Sequence, residues 1–289
     1  MKKKLALTLC AAGFTSGCAT TPETPSYDAS HSRAYNLAKA GGLYGAKDYA
    51  VPASQRSSAL AKGWSVSGDA VLFNARQGIG LDWGKSLGLG LLTTAFSPKG
   101  VMERDSVFAW MPATQASDSH HAWELMSATL LTGIEQTLQH AGVKYVVDNK
   151  NRHQDLPLMA EYILSSVRIV APQKGCPDWE ASGHSYEKSC SISTLVYAPS
   201  EQPRAIPDFV MAQQQGYAFL AGDDVEYSRI KVTIPEGARL DKNSLLASIS
   251  KELPAWAAIF VASQRQAKGQ YSAPVVLEQG RAELFITPE

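Results

Sequence analysis

The first 18 residues limit what the rest of the chain can fold into, because they decide the compartment in which folding takes place. Lys2, Lys3 and Lys4 form a short positive region, a mainly apolar stretch of ten residues (5–14) follows, and small residues precede Cys18. This order is typical of a secretory signal peptide, and ten residues are too few to cross a hydrocarbon layer of about 30 Å as a helix. The sequence therefore predicts that residues 1–17 are removed and that the body folds outside the cytoplasm.

The residues before Cys18 resemble the processing site of bacterial lipoproteins. The run Thr15-Ser16-Gly17-Cys18 is similar to a lipobox, with Thr15 where leucine is usual. The resemblance implies that Cys18 becomes the first residue and carries acyl chains, and Ala19 after it implies export to the outer membrane. Two or three chains would hold the protein stably, since each buried CH₂ group contributes about 0.8 kcal/mol. The alternative is an ordinary signal peptide followed by an incidental Cys18.

Two of the four cysteines remain for the folded body. Cys10 lies in the signal peptide and Cys18 in the lipobox, which leaves Cys176 and Cys190, 14 residues apart. An even remainder in an oxidising compartment predicts a disulfide that closes the loop 176–190. The alternatives are two free thiols, or a zinc site that would need further ligands beyond His184.

Composition and charge describe a globular protein and exclude some partners. The chain has 45% hydrophobic residues and 27 Lys and Arg against 27 Asp and Glu. A disordered chain would be less apolar, and a nucleic-acid binder needs a clustered excess of basic residues. The signal peptide takes three lysines with it, so the mature chain would carry 24 basic against 27 acidic residues and no polybasic membrane patch. We therefore expect no nucleic-acid partner and a membrane contact through the acyl chains alone.

A long helix is the clearest element of the body. Either Asp118 or Ser119 can cap its start, Gly142 can end it, and between them apolar side chains recur every three or four residues as far as His140. A shorter helix, capped by Asp241, is predicted over 242–252. Strands are predicted over 106–111, 143–147, 159–170, 192–197, 227–234, 256–262, 275–277 and 283–286. The first two strands flank the long helix as a β-α-β unit. The predicted fold class is α+β or α/β, with a mixed sheet packed by one long and one shorter helix.

The chain divides into four predicted regions. Residues 1–17 are the signal peptide, and 18–32, rich in Thr, Ser and Pro, are a lipidated tether. Residues 33–115 form an N-terminal region that begins with a short helix inside 28–44 and contains a glycine-rich apolar segment, 78–96. Residues 116–289 form the α/β body with the disulfide loop.

Part of the body resembles a module of periplasmic lipoproteins. The long helix, then Gly142-Val143-Lys144-Tyr145-Val146-Val147-Asp148, then Ala160-Glu161-Tyr162-Ile163-Leu164 leading a strand, is similar to the α/β module of the curli-secretion and penicillin-binding-protein-activator lipoproteins and of the N-terminal domain of the Tol-system propeller protein. The resemblance covers about 60 residues, 106–170. It implies an architecture of helices on a sheet, and it carries over no functional residue.

Two segments are candidates for binding a partner. The glycine-rich segment 78–96 carries Trp83, Leu87, Leu89 and Leu91, and it is either a buried or covering segment or a surface for a membrane or another subunit. The disulfide loop carries Trp179, which we expect to be exposed, and Tyr186. Large aromatic side chains at a surface commonly anchor protein contacts.

Catalytic and metal-binding patterns are incomplete. Gly183-His184-Ser185-Tyr186-Glu187 lacks the second glycine of a nucleophile elbow, and His184 is the last histidine of the chain. His120, His121 and Glu124 share a helix face, but a third fixed zinc ligand is missing. We expect the acidic run Asp223, Asp224 and Glu226 to be a solvated turn, because a calcium loop needs more oxygen ligands at alternating positions. We expect neither a cofactor nor a catalytic set.

These features together favour an outer-membrane lipoprotein that is not an enzyme. We expect a structural or interaction component of an envelope assembly for secretion, transport or wall synthesis, which binds an envelope protein or a second copy of itself. The alternative is a lipoprotein that binds a lipid or a small molecule in a pocket lined by the glycine-rich segment.

Overall fold

The protein is described by a computed structural model, which covers residues 25–50, 100–153, 162–222, 227–263 and 273–288. The helices are α1 (Arg33–Ala40), α2 (Ser119–His140) and α3 (Lys242–Glu252). The strands are β1 (Ser106–Pro112), β2 (Lys144–His153), β3 (Tyr162–Val170), β4 (Ser191–Tyr197), β5 (Arg204–Ala205), β6 (Gln215–Phe219), β7 (Arg229–Thr233), β8 (Ala257–Val261), β9 (Val275–Glu278) and β10 (Arg281–Leu284).

All of these strands belong to one large sheet, which confirms the α+β class. The order along the sheet is β10-β9-β8-β1-β7-β4-β3-β2, with β6 also paired to β1 and β5 paired to β6. Every pair of these strands is antiparallel. The prediction of a mixed sheet is therefore wrong for the strands described.

The two strands of the predicted β-α-β unit are not neighbours in the sheet. Strands β1 and β2 flank α2 in the sequence and run in the same direction, but β7, β4 and β3 lie between them in the sheet. Those three strands follow β2 in the chain and fill the space that the crossover spans.

Local sequence signals determine where the two longer helices begin and end. Asp118 caps α2 by accepting a hydrogen bond from the His121 backbone N–H at 2.8 Å, and Gly142 follows the helix with a φ of +65°, which favours glycine. Asp241 caps α3 by accepting from the Ser244 N–H at 2.7 Å. Both caps agree with the sequence prediction.

Helices α2 and α3 pack on one face of the sheet and form the larger core. Its fully buried members include Val107, Met126, Leu130, Ile134, Ile192, Leu246 and Ile259. Trp123 of α2 is buried among them, and its indole N–H donates to the carbonyl oxygen of Val196 at 2.8 Å. This bond ties the first turns of α2 to the end of β4.

A second, smaller core lies on the opposite face, under α1 and the residues after it. Its buried members include Leu37, Leu43, Phe108, Trp110, Phe260 and Phe285. Arg33 joins α1 to β9 through a two-point ion pair with Glu278, with N–O distances of 2.7 and 2.6 Å. Helix α1 thus lies over the half of the sheet that contains β8, β9 and β1. The loop 176–190, closed by the predicted disulfide, lies against the other half of the same face.

Candidate functional site

The predicted cysteine pair forms a disulfide at the base of the loop between β3 and β4. The Cα atoms of Cys176 and Cys190 are 5.5 Å apart, and both residues are buried. Gly175 beside them has a φ of +82°, and a Cβ there would lie 2.7 Å from the carbonyl oxygen of Gly237. The base of the loop is therefore held tightly against the backbone after β7, and residues 176–190 are called the disulfide loop.

A charged and aromatic cluster fixes the disulfide loop to the sheet. Arg168 of β3 donates two hydrogen bonds to the carboxylate of Asp148 on β2, at 2.6 and 2.8 Å, and this bonding raises the pKa of Arg168. The guanidinium carbon of Arg168 lies 4.3 Å from the ring centre of Trp179, so the indole covers the cation. Because a two-point arginine–carboxylate pair has a fixed geometry, the cluster defines the position of the loop.

Tyr186 completes this cluster from the other end of the loop. Its ring centre lies 5.1 Å from that of Trp179, and its hydroxyl is near enough to Asp148 to be affected by the negative charge of that carboxylate. Burial, followed by the negative charge of Asp148, raises the pKa of Tyr186 to about 12. The phenol therefore stays protonated and remains a hydrogen-bond donor at physiological pH.

The expectation that Trp179 is exposed is wrong. Its side chain is partly buried, because it packs on Arg168, on Tyr186 and on the ring of His184, whose centre is 5.5 Å away. An indole face attracts a cation. No local pattern in the sequence indicates that Arg168 of β3 lies against the ring of Trp179. Trp179 thus holds the loop in place, and only its remaining exposed part is open to a partner.

An exposed apolar pair lies beside this cluster on β2. Five large hydrophobic side chains are exposed among the residues that the structure describes, and two of these are neighbours, Val146 at 39% and Val147 at 38%. Strand β2 is the last strand at its end of the described sheet. Successive side chains of a strand point to opposite faces, so Val146 lies opposite Arg168 on the face of the disulfide loop and Val147 lies opposite Val167 on the face of α2. This terminal strand therefore carries an exposed valine on each face, and it lacks the charged side chains that commonly protect such an edge at these two positions.

The hydrogen-bonding direction of β2 follows from the register of β3. Ile169 of β3 donates its N–H to Cys190, on the β4 side, so the flanking residues Arg168 and Val170 turn their backbone groups towards β2. Their partners are Val146 and Lys144, which leaves the N–H and C=O of Tyr145 and Val147 directed away from β3. A bulge between Val147 and Asn149 ends this regular segment.

The residues considered for zinc do not form a metal site. His120 Nδ1 lies 4.0 Å from Glu124, both side chains being exposed, whereas His121 Nδ1 accepts a hydrogen bond from the Ser117 N–H. Asp118 is used as the helix cap, and the hydrogen bond from the His121 N–H lowers its pKa. The described part of the chain contains no group of three His, Cys, Asp or Glu residues placed to hold a metal ion.

The serine of the Gly183–Glu187 segment takes part in a turn. The Ser185 hydroxyl accepts from the Glu187 N–H at 3.3 Å, and the ring of His184 packs on Trp179. His184 itself has a φ of +58°, a turn conformation. These contacts give the serine no base to activate it.

A concave surface lies where the pairing of β1 changes from β7 to β6. Ser106 of β1 pairs with β7, whereas the stretch from Ala109 to Pro112 pairs with β6. The resulting cleft has a volume of about 540 Å³, and its lining includes Tyr44, Tyr197, Arg204, Leu220 and Ser228. We call it the fork cleft.

Several predicted positions lie outside the described residues. They are Cys18 and the signal peptide, Trp83, Leu87, Leu89 and Leu91 of the glycine-rich segment, and the acidic run Asp223, Asp224 and Glu226. Conversely, Arg168 was not among the predicted site residues, and Val146, Val147 and Asp148 were named only as part of the resemblance to periplasmic lipoproteins. Two adjacent valines before a run of polar residues in β2 were the signal that could have indicated an exposed edge.

The chain matches no protein-family model, no curated protein and no solved structure. Within the described ranges, no helix is long and apolar enough to cross a bilayer.

Proposed function

We propose that this protein is an outer-membrane lipoprotein, held by acyl chains on Cys18, that acts as a non-enzymatic interaction component of a cell-envelope assembly. The observation that carries the proposal is the exposed pair Val146 and Val147 on a terminal strand, beside a loop held by a disulfide and an ion pair. A rigid surface loses little conformational entropy when it binds, which favours protein recognition.

Strand addition is the binding mode that this surface supports. An extended segment of an envelope partner would pair with the outward N–H and C=O groups of Tyr145 and Val147. The bulge limits regular pairing to 144–147, so the added strand is short. Such pairing supplies affinity through the backbone and leaves selection of the partner to side chains.

The disulfide loop would supply that selection. Val146 lies opposite Arg168 in the register, so its side chain is on the sheet face that meets Asp148, Trp179 and Tyr186. Side chains of an added strand on this face would pack on Val146 and reach the exposed edge of the aromatic cluster. The glycine-rich segment, with Trp83, Leu87, Leu89 and Leu91, would offer a second contact to the same assembly.

Mass spectrometry of the N-terminal peptide tests the anchor. The peptide from membrane-purified protein is expected to start at Cys18 and to carry two or three acyl chains. A Cys18→Ser variant is expected to leave the membrane fraction. An N-terminal peptide that starts before Cys18, or one without acyl chains, would overturn the lipoprotein assignment.

Val147→Lys tests the proposed binding edge. A lysine there places a charge where an added strand would pack, the means by which natural edge strands prevent pairing. We expect loss of co-purifying partner protein from detergent-solubilised membranes, with little change in thermal stability, because Val147 is 38% exposed.

Leu220→Lys is the matched control, and it also tests the second candidate function. Leu220 is 37% exposed, but it lines the fork cleft. A cleft of about 540 Å³ with three aromatic residues and an arginine in its lining favours binding of a small molecule. Loss of the partner protein in Val147→Lys but not in Leu220→Lys supports the edge of β2 as the binding site. Partner retention in that variant, with loss of a co-purifying lipid or small molecule in Leu220→Lys, would favour the fork cleft instead.

A further inference from the structure

The outer edge of β2 is complementary to a second copy of itself. Its regular segment, 144–147, directs the N–H and C=O groups of Tyr145 and Val147 away from β3. Two copies of this strand that are related by a two-fold axis run antiparallel. An axis through Val146 would place Tyr145 of each copy opposite Val147 of the other, and each of these pairs would exchange two main-chain hydrogen bonds. The outward groups of one copy would thus satisfy those of the other.

The order of charges along β2 selects this register over its neighbours. With Val146 on the axis, Lys144 of each copy lies opposite Asp148 of the other. An axis one residue later in the strand would place Lys144 opposite the position of Lys150, and an axis one residue earlier would place Asp148 opposite Gly142. Opposite charges directly across a strand pair stabilise it, and like charges destabilise it. The strand therefore favours one symmetric pairing.

The surroundings of Asp148 favour the arrival of a cation. The disulfide loop contains three acidic residues and one lysine, so it carries an excess of negative charge. The pKa of Arg168 is raised by its hydrogen bond to Asp148 and, to a smaller extent, by the negative charge of Glu180, which therefore acts at the same place. Lys144 is exposed and forms no ion pair within the described part of the chain. A second copy would bring this lysine to a site where acidic groups outnumber Arg168.

The same pairing would cover the two exposed valines. Val146 of one copy would contact Val146 of the other on the face of the disulfide loop. On the face of α2, Val147 would lie opposite Tyr145, and aromatic side chains opposite β-branched ones are a favourable combination. The Tyr145 hydroxyl accepts a hydrogen bond from Gln139 at 2.7 Å and donates one to Glu135 at 3.2 Å, so the ring is held in place before association.

We propose that the strand added to β2 is β2 of a second copy of this chain, and that the protein forms a two-fold symmetric dimer through this edge. The inference rests on the proposed function, in which β2 is the binding edge, and it names the partner. The pairing is short, and each exposed ion pair contributes only up to about 1 kcal/mol, so the dimer is weak in dilute solution. Acyl anchors would confine both copies to one membrane and raise their effective concentration.

A single added cysteine tests the pairing in membranes that contain the full chain. Val146→Cys would bring two thiols together at the axis, because Cα atoms of opposed residues that share no hydrogen bond are about 4.5 Å apart, within the roughly 4.4–6.8 Å of disulfides. After mild oxidation we expect a reducible species of twice the mass of the chain. Leu220→Cys is the matched control, since Leu220 is 37% exposed, against 39% for Val146, and lies outside β2. It is expected to give no such species.

Reversal of one charge tests the register. Lys144→Glu, added to Val146→Cys, would place a carboxylate beside Asp148 at both symmetric contacts, so we expect crosslinking to slow by about tenfold. Lys251→Glu makes the same change of charge at an exposed position of α3, and it is expected to leave the rate unchanged. Circular dichroism checks that the variants are folded.

Failure of this inference can be distinguished from failure of the proposed function. A Val146→Cys chain that forms no species of twice its mass, or forms it no faster than Leu220→Cys, would overturn the second copy as the partner. Equal rates in the Lys144→Glu and Lys251→Glu variants would overturn the register centred on Val146. If Val147→Lys nevertheless loses a different envelope protein, the proposed function stands with another partner. If Val147→Lys retains every partner, the proposed function fails as well.

Discussion

Replacing Cys176 and Cys190 together by serine is expected to lower the free energy of unfolding by about 3 kcal/mol. The two residues are 14 positions apart, and the crosslink removes the entropy that such a loop would gain in the unfolded chain. The serine hydroxyl groups would also replace buried sulfur atoms, which adds to the loss. Urea unfolding of the oxidised wild-type chain and the double variant measures the difference.

The same variant is expected to lose its partner. Without the crosslink, Trp179 and Tyr186 are no longer held over Arg168 and Asp148, so the loop must be ordered again whenever a partner binds. Lys188→Gln is the control, because Lys188 is an exposed residue of the same loop. An unchanged urea midpoint in the double serine variant would contradict the role given to the disulfide.

Trp123→Ala is expected to be the most destabilising single substitution, by about 4 kcal/mol. The indole is buried between α2 and the sheet, and its removal leaves a large cavity. It also takes the donor from the carbonyl oxygen of Val196. Chemical denaturation measures the effect.

Two further variants separate the causes of this loss. Trp123→Phe keeps most of the apolar contact but lacks the N–H, so it should lose about 1–3 kcal/mol. Trp179→Ala removes a tryptophan that is only partly buried, so we expect less loss of stability there but loss of partner binding. If Trp179→Ala were as destabilising as Trp123→Ala, the disulfide loop would be part of the core rather than a recognition surface.

Local signals in the sequence were sufficient for most of the secondary structure. Asp118 and Asp241 mark the starts of α2 and α3 because a carboxylate before a helix accepts its free N–H groups. Strand β6 was missed because Gln215–Phe219 is short, contains Gly216 and follows a polar run. A strand of this kind forms because β1 offers it a partner and not because of its own propensity.

Strand order and the candidate site depend on contacts that no local pattern encodes. The three strands between β1 and β2 come later in the chain, so a β-α-β pattern could not reveal them. The ion pair of Arg168 with Asp148 joins residues 20 positions apart on two strands. Its existence depends on the register and on the bulge after Val147. The disulfide could be predicted because Cys176 and Cys190 are the two cysteines outside the N-terminal 18 residues, and two cysteines can pair in only one way.

The mass of the native complex tests whether this protein is a component of an envelope assembly. The wild-type chain, carrying a C-terminal tag, is extracted from membranes in mild detergent. The mass of the complex is then measured, and the proteins that co-purify with the chain are identified. We expect a mass well above that of a single 31.1 kDa chain, with a reproducible envelope partner or further copies of this chain. A clean monomer that carries only a bound lipid or small molecule would contradict it.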